Sequence, residues 1–123
     1  TVPLRVTHND TKLNNIMLDD VTGEGVCVID LDTVMPGSIL YDFGDALRFG
    51  ASSGAEDEKD LDKIWFDKDK FTAFAKGFLG QTHSILEPVE LKNLVKASFS
   101  IAIEQAARFL DDYISGDTYF KIK

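Results

Sequence analysis

The sequence predicts an α+β fold that is mainly helical, with one small β-hairpin near its start. Three observations carry that prediction. Two short apolar runs, residues 13–18 and 26–31, flank a segment of turn-forming residues from Asp19 to Gly25. Phe71, Phe74, Ala75, Phe78 and Leu79 recur at helical spacing. A longer periodic stretch runs from Pro88 to a stop at Gly116.

Each element has a local reason. The apolar runs alternate with turn chemistry as a hairpin requires, and Met35-Pro36-Gly37-Ser38 then reads as a loop by its Pro and Gly. Asp42 can cap a short helix through Phe49, which Gly50 would stop. Residues 51–63 are polar and are expected to form an exposed connection. A first long helix is expected over 69–81, and a second from Pro88, a favourable first helical residue. At 1.5 Å per residue the second spans about 40 Å, which suits the central helix of a helical lobe. Trp65 and the many phenylalanines are expected in packing, and Cys27 on one side of a buried strand. Phe120-Lys121-Ile122-Lys123 reads as the start of a further strand. The chain opens without Met and is expected to be a single partial domain over 1–123, with loops and hairpin in 1–50 and a helical part in 64–123.

Composition narrows the function classes. The 123 residues carry a formal charge of −8, which a phosphate backbone would repel, so nucleic-acid binding is not expected. With 44% hydrophobic and 28% charged residues the chain is globular in composition. No apolar run reaches the roughly 18 residues of a membrane span. Cys27 is alone, which excludes an intramolecular disulfide and a cysteine-built zinc cage. A single thiol and no visible signal or transit peptide give a cytoplasmic expectation.

One constellation carries chemistry. His8-x-Asp10-x-x-x-x-Asn15 runs directly into the first apolar strand, and Val28-Ile29-Asp30-Leu31-Asp32 ends the second. In a hairpin the entry to strand one lies beside the exit of strand two, so Asp10, Asn15 and Asp30 can converge. Phosphoryl transfer needs such a set. Mg²⁺ prefers hard oxygen ligands, which Asn15 and Asp30 supply, leaving room for the phosphates of ATP. Asp10 can orient the attacking hydroxyl and take its proton. Lys12 can offset charge on the transferring phosphoryl group.

This motif, followed by a hairpin and Ile-Asp, resembles the catalytic and metal loops of the protein-kinase-like phosphotransferases. It is closest to the aminoglycoside phosphotransferase and choline kinase branch. Thr7–Asn15, Val28–Gly37 and Arg108–Phe120 are similar to the N-acetylhexosamine 1-kinases. The resemblance implies the helical C-terminal lobe of such an enzyme, ATP and Mg²⁺ as co-substrate and metal, and an amino sugar phosphorylated at its anomeric hydroxyl. It places Arg108 and Tyr119 at the sugar pocket. An Arg fork can bond hydroxyl and acetyl oxygens, and a Tyr ring can stack on a sugar face. The other reading is a helix salt bridge from Arg108 to Glu104 or Asp112, with Tyr119 in packing. The resemblance gives His8 a loop-shaping role by hydrogen bonding. It also implies a first lobe that supplies a strand lysine, so the chain alone is expected to be inactive and to expose apolar surface that favours association.

Several other readings stay open. Asp42-Phe43-Gly44 spells a kinase metal-binding tripeptide, but it lies beyond the Pro-Gly loop, and Asp42 is expected as helix cap and loop anchor. Asp45 and Arg48 form an i, i+3 pair on that helix. Asp30-Leu31-Asp32-Thr33-Val34 also matches the opening of haloacid-dehalogenase-like phosphatases, with Asp30 as nucleophile and Asp32 as acid/base. Within a kinase Asp32 is either a second metal contact or a hydrogen-bond anchor. The acceptor is alternatively an aminoglycoside, choline or homoserine, and a non-catalytic binding module is a further alternative. Asp67-Lys68-Asp69 lacks the Gly and late Glu of a calcium loop, and His83 reads as a solvated loop residue.

Overall fold

The computed structural model describes residues 1–55 and 58–120, and the strand expected at the chain's end falls on 121–123, outside them. The element order is β1 (Arg5–Thr7), β2 (Ile16–Leu18), β3 (Gly25–Val28), β4 (Met35–Gly37), α1 (Ile39–Gly50), α2 (Lys68–Thr82) and α3 (Pro88–Ile114). The fold is α+β, as the sequence predicts. Two antiparallel pairs make the β part. β2 pairs with β3, with Ile16 opposite Val28 and an irregularity between Met17 and Leu18. β1 pairs with β4, so the segment expected as a Pro-Gly loop is a strand with Pro36 opposite Val6. A two-stranded ribbon has free edges, where a proline without an N–H is tolerated.

The hairpin strands are shorter than expected because each run is consumed at the site end. Leu13–Asn15 is a 3₁₀ turn, and Asp30 leaves β3 in a left-handed conformation with φ 62°. Ser38, not Asp42, caps α1, accepting the Leu40 N–H at 3.3 Å. Asp67 caps α2 through the N–H groups of Asp69 and Lys70, which explains that acidic pair without calcium. Pro88 opens α3.

The core lies where α1 crosses α3 and α2 covers them. Phe43, Leu47, Ala51, Leu86 and Leu94 are buried there, packed against the expected apolar face of α2. The Phe43 and Phe78 rings meet edge-on with centroids 4.9 Å apart. Gly44 is required at the crossing: a Cβ there would lie 2.9 Å from the main chain of Ala97 and from Ile101 Cγ1. Three side-chain expectations are corrected. Trp65 is 62% exposed, Cys27 is exposed on β3, and Ala51, at the start of the polar connection, is buried. Ala51 is the C-cap of α1, its N–H donating to the Leu47 carbonyl at 2.9 Å, which carries it into the core.

One buried ion pair ties the β part to α3. Arg5 Nε and Nη2 reach the two carboxylate oxygens of Glu90, each at 2.7 Å, and Nη2 also donates to the Ile85 carbonyl at 2.6 Å. Glu90 is fully buried and its carboxylate also accepts the Glu87 N–H at 2.8 Å. The Arg5 fork outweighs the cost of burial and holds Glu90 below its ordinary value of 4.5. A depressed carboxyl contributes stability that is fully present above the unfolded value and is lost as pH falls through the folded value. The thermal midpoint is therefore expected to hold near neutrality and to fall once pH drops below 4.5. Melting curves of Glu90→Gln should start lower and lose part of that acid slope. An unchanged slope would remove Glu90 as its source.

Candidate active site

The loop from His8 to Lys12 is shaped by contacts from three directions. Asn9 sits at φ 65°, a left-handed conformation that Asn tolerates better than most residues. Asp42, one turn into α1, holds it from below: its carboxylate accepts the N–H of His8 at 2.9 Å and of Asn9 at 2.8 Å. The Thr11 hydroxyl donates to the Asp42 carbonyl at 2.6 Å. Thr33 stitches the loop to the segment after β3, its hydroxyl donating to the His8 carbonyl at 2.6 Å. The Asn9 side-chain amide returns a bond to the Thr33 carbonyl at 2.9 Å. The His8 ring spans the remaining side, with Nδ1 accepting the Asp10 N–H at 3.3 Å and Nε2 against the Ile29 carbonyl at 3.0 Å. With Nδ1 as acceptor, the Nε2 proton faces the Ile29 carbonyl. Gly37 passes close beneath: a Cβ there would collide with the Thr7 hydroxyl and lie 2.9 Å from Asn9 Oδ1.

Asp10 is the half-buried acid at the tip of this frame. Its Oδ2 accepts from Lys12 Nζ at 2.9 Å and from Asn15 Nδ2 at 2.8 Å. Partial burial pushes the carboxyl up, but the Lys12 ammonium and the Asn15 amide together outweigh it and hold Asp10 below its ordinary range. It is an ionised carboxylate, a weak base suited to orienting a hydroxyl whose proton leaves late.

Asn15 is 5% exposed and also donates to the Asp10 carbonyl at 2.8 Å. With Nδ2 committed to Asp10, its amide oxygen is the atom left for a ligand. The Asn15 carbonyl accepts the Ile29 N–H at 2.9 Å, which places Asp30 one residue beyond the bonded position. Asp30 is exposed and does not touch Asp10 or Asn15 directly. An amide oxygen and a carboxylate on neighbouring strands are hard donors of the kind a divalent cation takes, with further positions left for phosphate and water. Among the described residues no group of three or more His, Cys, Asp or Glu is arranged to hold a metal. Asp32 is exposed on the turn Leu31–Thr33, and the anchoring contacts belong to its neighbour Thr33.

Two recesses meet at Asp10. One of about 200 Å³ lies toward the hairpin, between His8, Lys12, Asn15, Ile16 and Val28. The other, about 450 Å³, brings Asp10 and Lys12 together with Arg108 and Tyr119 from the end of α3. Asp45 and Arg48 also line it as an ion pair 2.9 Å long, and Glu104 faces them from α3. A groove of about 480 Å³ between α1 and α3 shares Tyr41, Ile101 and Glu104 but contains none of residues 8–15. The salt bridges considered for Arg108 do not form among the described residues: Asp112 is committed to main-chain N–H groups of residues 118–120. Tyr119 is 71% exposed at the cleft edge, not packed inside.

Sequence reasoning missed Thr33, the loop role of Asn9, and Asp112. A Thr or Asn beside a motif acid gives no periodic signal, and Asp112 resembles any acid on a solvated helix face. The dehalogenase alternative does not agree with this architecture: that fold is built on parallel strands, and every strand pair among the described residues is antiparallel. The family model named phosphotransferase enzyme family, APH, matches residues 1–74, the stretch that contains the 8–15 loop, both strand pairs and α1.

Proposed function

This chain belongs to the phosphotransferase enzyme family, and we propose that it is the catalytic lobe of an ATP-dependent sugar kinase acting on the anomeric hydroxyl of N-acetylhexosamines. The observation that carries the choice of acceptor is the cleft beside Asp10. Among the described residues its charged side chains balance, with Lys12, Arg48 and Arg108 against Asp10, Asp45 and Glu104. Two of these pairs are already closed, Lys12 on Asp10 and Arg48 on Asp45. A polycationic aminoglycoside or a quaternary ammonium such as choline calls for surplus negative charge or an aromatic cage. A neutral, hydroxyl-rich ring with one acetamido group suits balanced charge, an Arg fork and one exposed Tyr ring.

In this mechanism Asn15 and Asp30 would hold Mg²⁺, which would neutralise charge on the nucleotide phosphates. Asp10 accepts a hydrogen bond from the anomeric hydroxyl, aims its oxygen at the terminal phosphorus of ATP, and receives its proton as the new P–O bond forms and the bond to ADP breaks. Lys12, held beside Asp10, faces the negative charge of the phosphoryl group in flight. Arg108 and Tyr119 fix the sugar, which converts random encounter into a positioned attack. His8 and Asp42 keep the loop in shape. In kinases of this kind a strand lysine and a cover over the phosphates belong to a first lobe.

The test is a panel of N-acetylglucosamine, N-acetylgalactosamine, an aminoglycoside, choline and homoserine, offered with ATP and Mg²⁺ to the full-length protein. Phosphorus NMR should find a phosphate on the anomeric carbon of the two sugars. Turnover confined to a cationic acceptor would discard the sugar assignment, and no ATP consumption with any acceptor would favour a binding module without chemistry.

A further inference from the structure

Helix α3 does not simply end beside the cleft. Gly116 at φ 94° and Asp117 at φ 55° are consecutive left-handed residues. Two in a row reverse the chain and carry it back along the helix. The returning backbone meets Asp112, which is 6% exposed. Asp112 Oδ1 accepts the N–H of Thr118 at 3.0 Å, the N–H of Tyr119 at 2.8 Å and the Thr118 hydroxyl at 3.3 Å. Its Oδ2 accepts the N–H of Phe120 at 2.8 Å, and its own carbonyl accepts the Asp117 N–H at 2.9 Å. One side chain thus gathers three successive backbone donors.

What those donors carry is the far wall of the cleft. Tyr119 and Phe120 both line the space that contains Asp10 and Lys12, whereas Asp112 does not reach it. The Phe120 ring rests on Phe109 with centroids 4.2 Å apart, and Tyr119 meets Phe120 edge-on at 4.9 Å. An exposed ring held by one aromatic edge has little to fix it except its own main chain. Arg108 sits one helical turn before Asp112, so the same turn of α3 supplies the Arg fork and the acid that sets the opposite ring.

We infer that Asp112 is a positioning residue for the acceptor: it clamps residues 118–120 and through them sets Tyr119 and Phe120 against Asp10, Lys12 and Arg108. The inference rests on the reading of this cleft as the acceptor site. Two measurements on the full-length protein separate the two claims. Amide hydrogen exchange needs no substrate: Thr118, Tyr119 and Phe120 should be protected in the wild type and lose protection in Asp112→Asn. Steady-state kinetics with N-acetylglucosamine should then give an acceptor KM raised roughly tenfold, with the ATP KM unchanged. Because Asp112 acts partly through Tyr119, the effects of Asp112→Asn and Tyr119→Ala on the acceptor KM should be less than additive. Should Asp112→Asn be too unstable to assay, Gly116→Ala disturbs the same return without touching the carboxylate and is expected to raise the same KM. Lost protection with an unchanged acceptor KM, an equal rise in both KM values, or additive effects of the two substitutions would overturn the positioning role. Protection lost on Asp112→Asn, in a protein whose wild type phosphorylates no sugar, would leave the clamp standing and remove the acceptor reading.

Discussion

Replacing Asp10 by Asn in the full-length enzyme is expected to lower kcat by about 10²- to 10⁴-fold, the usual worth of a positioned acid or base. The substitution keeps the side chain's size and one acceptor oxygen, so the loop should retain its shape. It removes the charge that attracts Lys12 across 2.9 Å and the oxygen that would receive the hydroxyl proton. The KM for ATP should stay within a few-fold of its original value if Asp10 faces the acceptor, as proposed. Initial rates at saturating ATP, with a melting curve to verify folding, make the measurement. Normal turnover in a folded Asp10→Asn enzyme would end the assignment of Asp10 as base.

The second large effect distinguishes two aspartates that sequence alone confuses. Asp42→Ala leaves the part-buried His8 and Asn9 N–H groups without their carboxylate; a fully buried donor so orphaned costs about 1–3 kcal/mol, and partial access to water reduces that. A loss of roughly 2–4 kcal/mol in stability is expected from the pair, together with reduced kcat as the loop loosens. The Mg²⁺ concentration for half-maximal rate should not move. Asp30→Asn should do the reverse: melt near the wild type, since its carboxylate is exposed, and need at least about tenfold more Mg²⁺. Thermal melts and Mg²⁺ titrations of both variants decide the matter. A shift of the metal midpoint in Asp42→Ala alone would transfer the ligand role to the Asp42-Phe43-Gly44 tripeptide.

The parts of this fold that could be read in advance are those whose signal is local. The spacing of Phe71, Phe74 and Phe78 marks a helix face whatever it packs on, and Pro88 with Gly116 brackets α3 within a residue or two. The β1–β4 pair gave no such signal. Three residues are too few for an alternating pattern, the partners lie far apart in the chain, and Pro36 argues against a strand. Asp42 has a suitable residue type for a cap, but Ser38 begins the helix sooner and leaves Asp42 to serve the loop. At the site, Asp10 and Asn15 are close in sequence, and their contact follows from one turn of chain. Arg108 and Tyr119 could be tied to Asp10 only through family resemblance, because the tertiary crossing of α1 and α3 brings them there. That crossing is encoded in Gly44, which spelled a metal motif and instead makes room for a helix.

The crossing at Gly44 has a consequence for how the enzyme can vary. Gly44 and Asp42 belong to the same turn of α1, one touching the Ala97 main chain and the other gripping the loop that carries Asp10. The helix is therefore a rigid lever with the scaffold on one arm and the reacting group on the other. A slight thickening of the seam, such as a larger side chain at position 97, would tilt the lever and misdirect the acid several residues away. Substitutions along this seam should accordingly be registered first as lost catalytic rate, at a dose of strain too small to unfold the lobe.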